Sequence, residues 1–169
     1  MRSIRGLTII ILNVGLSIFS VILVVLLLDV DRLWLPPLPG FLEILSWPLF
    51  IAGTTIIISS VYILFKYSGT SGAPGDPTQN LVDKGIYRWM RNPIYLGDIL
   101  LLFGVGFNTR SILLTLLAVT SIPAFHYFVL KIEEPKTRNR LGEVYIQYKK
   151  NVPRWFPRLT KLITEHNGK

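Results

Sequence analysis

Residues 94–132, IYLGDILLLFGVGFNTRSILLTLLAVTSIPAFHYFVLKI, hold two apolar runs separated by Asn108-Thr109-Arg110, and no charge interrupts the second run between Arg110 and Lys131. A run of about twenty apolar residues is what a helix needs to cross a bilayer with every backbone group satisfied internally. The first run, about 94–107, is too short to span upright unless it tilts, thins the bilayer or shares its burden with a neighbour. With the second run, about 111–132, it is expected to form a tight helical hairpin. Pro123 is expected to kink the second helix and free backbone carbonyls.

Upstream, the chain is charge-free over Leu7–Leu28 and again over 44–65, where Pro48 is tolerated near the start. Half of the residues are hydrophobic and 17% are charged, with a mean hydropathy of +0.47, so the composition is that of a membrane protein. The first run is too long for the central region of a signal peptide, and Asp29-Val30-Asp31-Arg32 after it offers no small-residue cleavage site. The absence of cysteine excludes disulfides, thiolate metal sites, a thiol nucleophile and iron–sulfur clusters. With His126 and His166 as its histidines, the chain cannot build a histidine-rich metal site.

The expected fold is therefore an all-α polytopic membrane domain over 1–169 with about four transmembrane helices. Two of them lie within 1–66, a loop follows over 67–93, the hairpin occupies 94–132, and a tail runs over 133–169. Four crossings put all but Arg32 and Arg110 of the 18 basic residues on one side, which makes that side, with both termini, cytoplasmic. Membrane lipids are the expected partners of this basic face, and no nucleic acid is expected. The segment 67–80, YSGTSGAPGDPTQN, reads as a turn-rich linker or lid. In the tail, Leu141, Val144, Tyr145 and Tyr148 fall at helical spacing, which predicts an amphipathic helix lying on the membrane or over the site. Pro135 suits a helix's first turn, so a break or kink is expected where Glu133 and Glu134 sit.

Two polar constellations flank the hairpin. Ahead of it, GIYRWMRNPIYLG over 85–97 groups Tyr87, Arg88, Trp89, Arg91 and Tyr95; behind it stands Glu133-Glu134, followed by LGEVYIQYKKNVPRWFP. Each has an ordinary reading. Arginines snorkel to headgroups, aromatics form interfacial belts, Pro93 starts a helix, and adjacent glutamates can be a solvated pair at a helix end. His126 is expected to be a buried packing residue, and the basic tail can bind anionic lipid with no enzymatic role.

Jointly, the string Leu81-Val82-x-x-Gly85-Ile86-Tyr87-x-x-x-Arg91-Asn92-Pro93-x-Tyr95-x-Gly97, then Glu133-Glu134, Leu141-Gly142, Tyr145, Tyr148 and Val152-Pro153, resembles the integral-membrane isoprenylcysteine carboxyl methyltransferase and phospholipid methyltransferase group. The resemblance covers residues 78–157. It implies transfer of a methyl group from S-adenosyl-L-methionine, bound on the cytoplasmic side, to a lipophilic small molecule or lipid. It places Glu133 at the family's cofactor-binding acidic position, with Glu134 as its partner. Tyr87, Pro93, Ile94 and Tyr95 match positions lining the cofactor pocket, and Gln79, Asn80, Leu81 and Val82 match a contacting segment. Gly85 and Gly97 permit close backbone approach. Arg91 either neutralises the cofactor carboxylate or braces the loop, and Arg91 and Asn92 are the candidates for a catalytic role.

The departures from the family pattern bear on the acceptor. Asn92 stands where many members have histidine, and an amide cannot take a proton near neutral pH. Gln79 stands where eukaryotic prenylcysteine enzymes carry a second histidine. Val129 stands where they carry an arginine placed for the substrate carboxylate. A carboxylate nucleophile needs no base; an amine must first lose a proton, and the nearby bases are the glutamates, Asp98 and water. The competing readings are a phospholipid amine N-methyltransferase, a non-catalytic membrane protein with a lipid- or partner-binding tail, and a reductase of similar C-terminal architecture. The last are much longer chains.

Overall fold

The computed structural model describes residues 23–69 and 80–156, and every regular element among them is helical. Helix α1 is described over 23–34; the remainder of the expected 7–28 span lies outside the described residues. It continues past Asp29, Asp31 and Arg32, beyond the expected end at Leu28, and stops ahead of Pro36-Pro37. Charges set where a helix leaves lipid, whereas a proline, which lacks the N–H, sets where it ends.

Helix α2, Phe41–Tyr67, is long enough and apolar enough to cross a membrane, as is the continuous helical run Ile112–Leu141. Only 11% and 17% of their most apolar windows are buried inside the protein. Ile44, Trp47, Ile51, Ile58 and Phe65 of α2 all point outward. Apolar surface left this open on a soluble protein would forfeit its hydrophobic stabilisation, so its natural solvent is lipid. Helix α3, Pro93–Asn108, is the short one expected from the sequence, and α4, Ile112–Phe128, stays helical through Pro123.

Helices α2 and α3 run antiparallel along a seam of small residues. Ser46, Gly53 and Ser60 recur every seven positions on the buried face of α2, and Gly97 and Gly104 do the same on α3. A Cβ added at Gly97 would stand 2.9 Å from the Gly53 carbonyl oxygen and 2.5 Å from Ile57, and one at Gly104 would strike the Phe50 ring at 2.8 Å. At the far end the Asn108 amide donates to Ser46 Oγ at 3.4 Å. Between lipid-solvated helices, where apolar association gains little, such close approach supplies the packing attraction.

The α3–α4 turn is tight. Arg110 adopts φ 55°, and Ser111 caps α4 by accepting from the Leu114 N–H at 3.0 Å. Beyond α4 a π-turn, Val129–Glu133, leads into α5, Glu134–Leu141, with Pro135 in its first turn. The break expected at the glutamates is thus a bulge within a continuous helix. The tail is two short helices rather than one, because Gly142 takes φ 60° and ψ −135° before α6, Glu143–Asn151. Val144 is 59% exposed while Tyr145 and Tyr148 are buried, so it does not belong to the packed face that the spacing predicts.

Candidate functional site

The loop ahead of α3 is built on a single turn of 3-10 helix, Gly85–Arg88, which Gly85 enters at φ 51°. Its Tyr87 is buried, with the side chain beside Ser60 of α2. The Tyr87 carbonyl accepts a 2.5 Å hydrogen bond from the Tyr148 hydroxyl of α6. Two further bonds tie this loop to the tail, Arg91 N–H to the Pro153 carbonyl at 3.0 Å and Asn92 N–H to the Arg154 carbonyl at 3.2 Å. Tyr145, Tyr148 and Val152 form a buried cluster that Leu81 and Leu141 pack against. The segments flanking the hairpin are therefore one structural unit.

Glu134 is the ionic centre of that unit. Its Oε1 accepts from Arg91 Nη1 at 2.6 Å and Arg154 Nε at 2.9 Å, and its Oε2 from Lys149 Nζ at 2.7 Å. The Glu134 and Arg91 side chains are 6% and 8% exposed. Burial by itself would raise the carboxyl's pKa, but the hydrogen bonds from Arg154 and Lys149 and the Arg91 charge outweigh it and hold the group below its usual value. Of the two roles expected for Arg91, the contacts are those of a brace. Glu134 is saturated by three cations, one from the loop and two from the tail.

Glu133, one residue earlier, has the opposite environment. No cation pairs with it among the described residues; it meets Tyr95 of α3, with Lys136 and Glu134 acting at longer range. Burial, followed by the nearby Glu134 charge, pushes its carboxyl up even though the neighbouring Tyr95 hydroxyl acts to lower it. Tyr95 itself packs on Phe125 and Phe128 of α4 at centroid distances of 5.0 and 6.4 Å. Pro93 is fully buried at the head of α3, and Ile94 is half-buried beside it. Arg91 Nε and Asn92 Nδ2 are buried and lack a hydrogen-bond partner. Buried donors of this kind are costly unless something else accepts from them.

The two glutamates give opposite pH signatures. A carboxyl held low in the fold contributes stability above its usual value of 4.5 and loses it as pH falls through the lowered value; this is Glu134. A carboxyl held high contributes stability below 4.5 and loses it as pH rises through the raised value; this is Glu133. Thermal melts in detergent should show Glu134→Gln losing part of the acid-side fall in melting temperature. Glu133→Gln should keep that fall and lose the decline on the rising side of 4.5. Identical profiles for the two variants would remove the distinction.

Not every expected site residue joins the cluster. Val82 is buried, and Asn80 donates its N–H to the Ser68 carbonyl at 3.1 Å, closing the two ends of the 70–79 segment; Gln79 lies outside the described residues, as does most of the expected 67–80 linker. His126 is exposed rather than buried: its Nδ1 accepts from the Trp155 indole at 3.1 Å, and the rings stack at 6.3 Å. The sequence reading missed Lys149 and Arg154 as partners of Glu134, and Ser60 beside Tyr87. Lys149 lies fifteen residues from Glu134 and Arg154 twenty, and sequence carries no signal for pairings of that reach.

No curated protein and no solved structure matches the chain. The phospholipid methyltransferase family matches residues 42–144, from the second residue of α2 to the second residue of α6. That match takes in the glycine seam, the hairpin and both glutamates and covers more than half of the chain, which therefore belongs to the phospholipid methyltransferase family of membrane enzymes.

Proposed function

We propose that the protein is an S-adenosylmethionine-dependent methyltransferase acting at the cytoplasmic membrane face on a lipophilic acceptor, either isoprenylcysteine-carboxylate-like or lipid-derived. The observation that carries this reading is the unsaturated set at the mouth of the hairpin: Glu133 with no ion pair among the described residues, and the orphaned donors Arg91 Nε and Asn92 Nδ2. A donor that carries both an ammonium and a carboxylate suits one open carboxylate and two open N–H groups. When bound it supplies an electrophilic methyl group, so no metal or covalent protein intermediate is required. Glu133 holds the cationic end or a ribose hydroxyl, with Tyr95 fixing its carboxylate. Tyr87, Pro93 and Ile94 line the pocket, and Asn80, Leu81 and Val82 form its outer wall. Glu134 keeps the loop and tail together through Arg91, Lys149 and Arg154. The protein's contribution is alignment and exclusion of water.

Membership of the phospholipid methyltransferase family supports a phospholipid amine as the alternative acceptor. An assay of radiolabelled methyl transfer from the donor to membrane lipid extract and to prenylcysteine analogues distinguishes these acceptors. Calorimetry on the intact protein in detergent tests the cofactor, and no binding would remove the methyltransferase reading in favour of a lipid-docking protein.

The proposed topology has four spans, with both termini, the 67–93 loop and the 133–169 tail cytoplasmic. The chain has no cysteine, so single introduced cysteines report cleanly. Substitutions at Lys84 and Lys150 should label with an impermeant reagent from one side and at Thr109 from the other. Labelling of all three from the same side would refute the four-span arrangement.

A further inference from the structure

At the end of the hairpin opposite the glutamates, a 16-residue helix away or roughly 24 Å, lies a cavity of about 220 Å³ between the end of α1, the connection to α2 and the α3–α4 turn. Its walls include Leu28, Asp31, Arg32, Pro37, Arg110 and Ser111. Asp31 is 6% exposed, and neither of its carboxylate oxygens has a hydrogen-bond partner. The cavity is firmly framed: the Leu38 N–H donates to the Arg110 carbonyl at 2.9 Å, and Arg110 Nε donates back to the Leu38 carbonyl at 2.7 Å. Arg110 also lies 3.5 Å from Glu43. None of these residues belongs to the proposed methyl-transfer site.

A buried carboxylate with no partner is among the costlier features a fold can carry, and it persists where a ligand satisfies it. The volume is far more than one water requires, at roughly 30 Å³ each. A bare metal ion fits poorly. Among the described residues no three metal-ligating side chains come together, and the guanidinium groups of Arg32 and Arg110 repel a naked cation. A quaternary ammonium fits poorly too, because it has no N–H to donate and is held by aromatic faces, of which the lining has none. What remains is a primary ammonium tethered to an anion. We propose that this cavity binds a zwitterionic aminophosphate headgroup, its ammonium donating to Asp31 and its phosphate facing Arg32 and Arg110. Trp34, 79% exposed on the turn of α1 that bears Asp31, suits the headgroup layer where such a lipid would sit. The inference rests on the protein's place in a membrane and not on methyl transfer.

The test is thermal melting of the full-length protein in detergent, without methyl donor, against short-chain phosphatidylethanolamine, phosphatidylcholine, phosphatidylglycerol and free phosphoethanolamine. Phosphatidylethanolamine should raise the melting temperature, and the choline and glycerol lipids should not. Asp31→Asn should melt higher than wild type without lipid, having lost an unpaired buried charge, and should bind the ethanolamine lipid at least about tenfold more weakly. Because Asp31 lies at the other end of the hairpin from the methyl-transfer site, loss of the shift in Asp31→Asn separates this cavity from any ethanolamine binding at that site. Arg32→Gln should lower the affinity as well, and serves should Asp31→Asn fold poorly. Equal shifts from free phosphoethanolamine and the lipid would identify a soluble headgroup as the ligand; a shift from the lipid alone would identify a membrane lipid. Equal shifts from the ethanolamine and choline lipids, or an unchanged shift in Asp31→Asn or Arg32→Gln, would overturn the proposal.

Discussion

Glu134→Ala is expected to lower the unfolding free energy by about 3–5 kcal/mol, the cost of removing one partner from a buried ion pair and stranding the other. The magnitude follows from who is stranded. Arg91 is 8% exposed and Arg154 16%, and neither can recover its solvation in water once the carboxylate is gone. Lys149, the third partner, is 47% exposed. Lys149→Ala should therefore cost about 1 kcal/mol or less, as for a pair open to solvent. Reversible denaturant unfolding in detergent would compare the two. Losses of similar size would mean that Glu134 does not centre the network. Because the same carboxylate joins the loop ahead of the hairpin to the tail behind it, the alanine variant should also expose the Arg91–Arg154 region to proteolysis well before the helices melt.

Glu133→Ala is expected to leave folding intact and to weaken binding of the methyl donor by about 1.5–3 kcal/mol, the range for a hydrogen bond to a charged group. That corresponds to roughly a ten- to 150-fold rise in the dissociation constant. Stability should stay level or improve, since Glu133 has no cationic partner among the described residues and burial pushes its carboxyl up. Calorimetry with the donor on wild type and variant measures the difference. Wild-type affinity in the alanine variant would move the cofactor assignment away from this residue. The two neighbouring glutamates are thus separable by experiment, one through folding and the other through ligand.

Apolar run length carried most of the architecture: α2, α3 and α4 lie where the predominantly apolar stretches of the sequence fall, and the third is the short one. Where a helix ends was less legible. The charges at Asp29 and Asp31 marked a change of solvent, while the backbone stayed helical up to the prolines. The tail misled for a local reason. Leu141 and Val144 share a face only if the helix between them is continuous, and Gly142 interrupts it with a positive φ. At the site, the resemblance put Glu133 at the cofactor position with Glu134 as its partner, but nothing in the sequence gave Glu134 its bracing role, because that role depends on Arg91 arriving from the loop and Lys149 and Arg154 from the tail. His126 failed in the same way: its partner, Trp155, is 29 residues away.

The π-turn at Val129–Glu133 also sets a rule of phase. Each residue advances a helix by roughly 100°, and a π-turn carries one residue more than the α-helical ladder needs. Deleting a single residue there would let the ladder close regularly, but it would swing everything C-terminal to it around the axis relative to α3. The glutamate now facing Arg91 would be aimed elsewhere, with each individual side chain still present. Length, rather than identity, is thus the property of this segment least free to vary, and chimeras joining a foreign hairpin to this tail should work only when the junction preserves the extra residue.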